Sequence, residues 1–260
     1  SGDIKVGMAT KDRIKRMLLG PRRWRPILLG IGLLLWVSPQ LKAGISRDLP
    51  SFSSSHLANA DAALKDNFTL QGVKGSPNSN HTNGYNWEHG GPKDDKEWAW
   101  FLNRHRYFED LYLAYKGTGD ERYVEKIFSI LADWLRENEE APAGMSFSAA
   151  WRPLEAARRI LESWDILYLN LWEDPHFPED LRPAFLRALE NHGDYLQSHH
   201  ALYGNHLITE MLALLKLSLM RPNAKNADQW EQYAIDKLDA EYYRQFYPSG
   251  AHKELSSHSQ

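Results

Sequence analysis

A chain of 260 residues, 42% hydrophobic and 12% aromatic, is long enough to bury one sizeable core. It has no cysteine, which excludes disulfides and a thiolate nucleophile. Residues 1–43 hold nine Lys or Arg against Asp3 and Asp12, while the rest holds 22 basic and 32 acidic side chains. A body of net charge −10 argues against nucleic acid as a partner.

Residues 1–43 read as a basic leader. Lys11, Arg13, Lys15, Arg16, Arg22, Arg23 and Arg25 precede the apolar run Ile27 to Val37, and Ala43 offers a small residue for cleavage. Eleven apolar residues fall short of the roughly 20 that a spanning helix needs and suit the core of a signal peptide. The expected destination is the periplasm or the exterior. The alternative is an uncleaved membrane anchor, and transient membrane association through the leader belongs to either reading.

Residues 44–96 form a loop-rich segment with many Ser, Asn and Gly. Asp61 to Lys65 suits a short helix and Phe68 to Val73 a short strand. The remainder, through Asn83-Gly84 and His89-Gly90-Gly91-Pro92, carries turn signals.

Residues 97–260 are patterned as helix. Phe101, His105, Phe108, Leu111 and Tyr115 follow three-four spacing until Gly117 stops the run. Asp120 reads as the next N-cap, before Tyr123, Ile127, Leu131 and Trp134. Pro153 suits a first helical position ahead of Leu154, Ala157, Ile160, Trp164 and Leu167. Pro178 opens a helix through Leu181, Phe185, Leu189 and Tyr195. A further helix plausible from Gly204 carries the apolar segment Leu207 to Met220, and the last includes Trp230, Tyr233, Leu238, Tyr242 and Phe246. Six helices with short connections predict an all-α fold: an incomplete α/α toroid of antiparallel helical hairpins, with an ordinary bundle as the alternative.

The densest chemistry lies in Ser198 to Glu210, where three of the 11 histidines fall within eight positions. Asn205 and His206 follow Gly204, and Glu210 lies four residues beyond His206, on the same helical face. Three other clusters stand out: Asn103-Arg104-His105, Trp151 to Arg159, and Gly250 to His258. Each has a plain alternative. His105 suits a core histidine on an apolar face, Glu155, Arg158 and Arg159 suit a solvated helix face, and His199-His200 suit an exposed helix end. No histidine pair has metal-ligand spacing with a carboxylate, so neither metal nor cofactor is expected in this segment.

Taken together, Leu102-Asn103-Arg104-His105, Thr118 to Tyr123, Trp151-x-x-Leu154-Glu155-x-Ala157-x-Arg159, Asn205-His206 and His252-x-Glu254-x-Ser256 resemble the heparinase II/III-type polysaccharide lyases, over about residues 60–260. The resemblance implies a helical toroid followed by an antiparallel β-sandwich region, before which this chain stops. It also implies β-elimination at a uronic acid of an acidic polysaccharide. On that reading Asn205 donates to the uronate carboxylate and His206 assists there or acts as base. Tyr203, His252, Glu254, Arg104 and Arg159 would bind substrate or support the cleft. The family's loop carries a proton-donating tyrosine where this chain has Ser259, so little activity is expected from this polypeptide alone. Two other functions fit the residues. One is a non-catalytic carbohydrate-binding module using the Trp and Tyr walls. The other is a glycoside hydrolase drawing its two carboxylates from Glu155, Glu210 and Glu254.

Overall fold

The structure is a computed structural model that describes residues 48–77 and 84–245. The basic leader, His252, Glu254 and Ser259 lie outside the described residues. Leu49–His200 form one compact unit, and the described residues from Ala201 onward belong to a second.

The first unit opens with α1 (Ser54–Leu64), longer than the short helix the sequence suggests. Ser53 starts it, its backbone N–H donating to His56 Nδ1 at 3.1 Å. Phe68 to Gly75 is a hairpin rather than a single strand: β1 (Phe68–Leu70) pairs antiparallel with β2 (Val73–Gly75), Leu70 opposite Val73. Its turn is Gln71-Gly72, both at positive φ (51° and 71°), the backbone twist that two-residue hairpin loops favour. The hairpin is tied to the helices by Trp98, whose indole N–H donates to the Val73 carbonyl at 3.1 Å.

Helices α2 (Lys96–Asn103) and α3 (Tyr107–Thr118) replace the single helix that the spacing of Phe101 to Tyr115 predicts. The break is at His105, which adopts φ +57°. That backbone turns the imidazole into the core, where it is fully buried beside Trp87, Phe108 and Trp164 and accepts the Trp164 indole N–H on Nδ1 at 3.1 Å. The stop also moves. Gly119, at φ +74°, ends α3, while Gly117 stays helical, with the Phe52 ring lying where a side chain would stand.

The cap expected at Asp120 falls one residue later, at Glu121, which makes no side-chain cap; the Asp120 carboxylate still takes the Arg122 N–H at 3.1 Å where α4 (Arg122–Asn138) begins. This helix buries Tyr123, Ile127, Leu131 and Trp134 along one face, and with α3 it makes a helical hairpin across three connecting residues. Pro153 occupies the first position of α5 (Pro153–Arg159), as expected. Ile160–Trp164 then form one widened π turn before α6 (Asp165–Leu169). The start expected at Pro178 falls at Leu181, whose N–H bonds the Pro178 carbonyl, and α7 runs Leu181–Ser198.

The second unit contains α8 (Gly204–Met220) and α9 (Ala227–Gln245), joined by six residues and packed along their lengths. From Leu214 to Met220 every residue of α8 is buried, the leucines and Met220 together with Lys216 and Ser218. Among the described residues no helix is long and apolar enough to cross a membrane.

Candidate functional site

The N-terminus of α8 is built by two buried carboxylates. Gly204 enters the helix at φ +81°, and the extended Tyr203 before it supplies no side-chain cap. The amides here need other acceptors. Glu210 takes the Ala201 N–H at 2.7 Å, and Glu241, on α9, takes the Gly204 N–H at 2.8 Å. Glu241 also receives the Gln245 amide at 2.8 Å and Arg244 Nε at 3.1 Å, and the Arg244 guanidinium stacks 4.2 Å from the centre of the Tyr203 ring. Negative charge so close to a helix N-terminus is favourable in itself. The first turn is thereby fixed with Asn205 and His206 both exposed. Tyr203 is exposed as well, with one ring face covered by Arg244.

Glu210 therefore does not join Asn205 and His206 at the surface, although its spacing puts it on their face of the helix. It is buried and turned inward to Ala201. Glu155 is also committed. Its fully buried carboxylate is clamped by Arg104 and Arg152. The hydrolase reading thus loses the free carboxylate it needs at both described positions.

In the first unit, Arg104 reaches the surface with its guanidinium 3.9 Å from the centre of the Phe101 ring. Arg159 does not. It is fully buried, donating Nε to the Asn103 carbonyl at 2.6 Å and Nη2 to the Ala150 carbonyl at 2.5 Å, with its Cζ 4.2 Å from the centre of the Trp134 ring. The expectation of substrate binding by Arg159 gives way to internal support, and the solvated face expected of Glu155 and Arg159 is a buried one. Burial pulls the Arg159 guanidinium down to about 9, still charged at neutral pH.

Arg159 also fixes a tautomer. Its Nη1 lies 2.7 Å from His192 Nε2, which must accept, so Nδ1 carries the proton and donates to the Ala188 carbonyl at 2.7 Å. Burial, reinforced by the Arg159 charge, holds His192 well below the ordinary histidine range, and the same two causes act on His105. His105 is a core histidine, as its apolar face suggests. His199 stacks on Tyr195 at 4.9 Å and 22°, half-buried at the end of α7.

Two residues of these arrangements have no role in the sequence reading. Arg152 is legible as a partner three residues before Glu155, but nothing in the pattern places it over Trp100. Glu241 lies inside α9, 37 positions from the amide it accepts, with no local signal. Among the described residues no group of three or more His, Asp or Glu side chains is placed to hold a metal ion.

The chain is similar to known proteins. Residues 40–259 match the family model described as heparinase II/III N-terminus. A heparin-sulfate lyase of Pedobacter heparinus is 33% identical over 202 residues, covering 76% of this chain and 29% of that protein. A heparin-sulfate lyase of Bacteroides stercoris is 28% identical over 216 residues, covering 76% and 32%. Among solved structures, a heparan sulfate lyase from Pedobacter heparinus superposes with TM-score 0.68 at 29% identity, over 80% of this chain and 32% of that one. A heparinase III gives 0.70 at 27% identity, over 80% and 33%. The chain spans about a third of the length of the curated relatives it matches. These matches fix the fold class as that of the heparinase helical toroid, and with a family model covering most of its length the chain belongs to the heparinase II/III N-terminus family.

Proposed function

We propose that this chain is the toroid part of a secreted or periplasmic polysaccharide lyase that cleaves a uronic-acid-containing polysaccharide, glycosaminoglycan or alginate in class, by β-elimination. The observation that carries the reading is the anchored first turn of α8, which holds an exposed amide and an exposed imidazole side by side at the positive end of a helix dipole.

The chemistry asks for that arrangement. A base removes the C5 proton next to the uronate carboxylate, the C4–O glycosidic bond breaks, and a C4–C5 double bond forms as the leaving oxygen takes a proton. The C5 proton is very weakly acidic while the carboxylate keeps its full charge, so the charge developing on that carboxylate must be stabilised first. The Asn205 amide donates to the carboxylate, and the helix N-terminus adds a favourable potential. His206 assists there or takes the proton. With serine at position 259, where the resemblance places the proton donor, little turnover is expected from this polypeptide alone.

The test is ultraviolet absorption of the unsaturated uronate product. Protein extended to the length of its relatives and carrying Ser259→Tyr is expected to produce it from a heparinoid, a chondroitin-type polymer or alginate. Absence of the chromophore with all three overturns the reading. If binding persists without it, the carbohydrate-binding alternative stands.

A further inference from the structure

Glu155 has more positive charge around it than it needs. One arginine would neutralise the carboxylate, yet Arg104 Nε holds one oxygen and Arg152 Nη1 the other. The cluster of three side chains is left with a net charge of about +1. Each guanidinium spends a single nitrogen on Glu155, and among the described residues neither makes another hydrogen bond. Each is also fixed in plane by a ring of α2: Arg104 3.9 Å from the centre of Phe101, and Arg152 4.0 Å from that of Trp100. Their side chains are 13% and 21% exposed, so the unspent N–H groups reach solvent from a mostly desolvated setting.

A buried carboxylate that holds two arginines rigid while leaving their outer donors open is an anion cradle. We infer that Arg104 and Arg152 together bind an anionic substituent of the polysaccharide, a sulfate or a second carboxylate, with Glu155 as the positioning residue that sets their spacing. This rests on the proposed function and goes beyond it by assigning Arg152, Glu155 and the ring pair Trp100 and Phe101 to a substituent other than the one being eliminated. Guanidinium suits this task better than ammonium. Its planar fork presents two parallel donors to two oxygens, and its rotamers are already paid for in the stack.

The experiment is calorimetric binding of sulfated and fully desulfated heparin oligosaccharides to the whole chain, unmodified and as Arg152→Lys and Arg104→Lys. Lysine keeps the charge on Glu155 and removes the fork and the stack. Each variant is expected to weaken binding of at least one oligosaccharide by about tenfold, as the loss of a charge-assisted bidentate contact implies. Loss confined to the sulfated ligand assigns the cradle to sulfate, and equal loss on both assigns it to carboxylate. A measurement without substitution covers the case in which a variant fails to fold. Inorganic sulfate should displace the oligosaccharide from the unmodified chain more strongly than chloride at equal ionic strength. Unchanged affinity in folded Lys variants, or equal displacement by sulfate and chloride, overturns the cradle and leaves the proposed function standing. If the unmodified chain binds neither oligosaccharide, the cradle falls, and the proposed function is decided by the elimination assay on the three polymers.

Discussion

Asn205 is where a single side chain can decide between chemistry and packing. It lies in the first turn of α8, one residue inside the helix, while Tyr203 occupies the capping position. A capping role, under which Asp would replace Asn freely and Ala would cost stability, does not fit that placement. Asn205→Ala and Asn205→Asp are both expected to leave the melting temperature of the chain nearly unchanged, Asp gaining a few tenths of a kcal/mol at most from the dipole. Turnover in the full-length enzyme carrying Ser259→Tyr should fall by about 100- to 1000-fold for Ala, the usual cost of one lost donor to developing charge, and further for Asp. Asp also sets like charges in contact with the uronate and should weaken binding. An active Asp variant would remove Asn205 from the reaction.

Arg159 makes the opposite case, a charged side chain used for structure. Arg159→Met keeps the volume but strips donors from the Asn103 and Ala150 carbonyls and from His192. The cost should be about 3 kcal/mol or more, since each buried acceptor left bare costs about 1–3 kcal/mol. Urea unfolding measures it, and a loss under 1 kcal/mol would contradict this account.

At the scale of elements, most of the helical order can be read from the sequence because it rests on periodicity and on local chemistry. Pro153 at a first helical position, the Asp120 carboxylate on the Arg122 amide and the entry at Gly204 each need only their neighbours. The misses share one cause. The α2–α3 break at His105 and the widened turn at Ile160–Trp164 are set by rings brought together from distant positions, and a three-four pattern runs through both without interruption. The candidate site divides in the same way. The exposed pair Asn205 and His206 shows itself as a dense cluster of polar residue types. The inward turn of Glu210 is to Ala201, before the helix, and the acceptor role of Glu241 depends on packing between α8 and α9, which no local pattern encodes. Glu241→Ala tests that dependence. It leaves the part-buried Gly204 amide without its acceptor and Arg244 without its partner, and should cost about 1 kcal/mol. In the full-length enzyme carrying Ser259→Tyr it should lower turnover although Asn205 and His206 are unaltered in sequence. A stable variant with unchanged turnover would detach Glu241 from the site.

At the scale of the whole molecule, the buried histidines set a pH limit on the fold. His105 and His192 have folded-state values well below 6.5, so below about 6.5 the unfolded chain binds protons that the native core refuses. Stability then falls as pH falls, by about 1.4 kcal/mol per pH unit for each such group. His176 acts the other way: its bond to Asp174 raises its value, so its contribution is present at low pH and fades as pH rises through the raised value. Below about 6.5 His176 is charged in both states and its contribution is constant, so the two buried rings set the slope and acidification costs stability. The melting temperature should be level above about pH 7.5 and decline from about 6.5 toward 5. A level profile across that interval would mean that the two rings take up protons inside the fold.

The hold of Glu241 on Gly204 has a mechanical meaning. Glu241, Arg244 and Gln245 stand in the last turns of α9, and their contacts converge on the residue that begins α8. A small screw motion of α9 about its own axis would carry the Gly204 amide with it and re-aim Asn205 and His206, with no change along the rest of α8. One hydrogen bond thus ties the first turn of α8, and the amide and imidazole on it, to the last turns of α9.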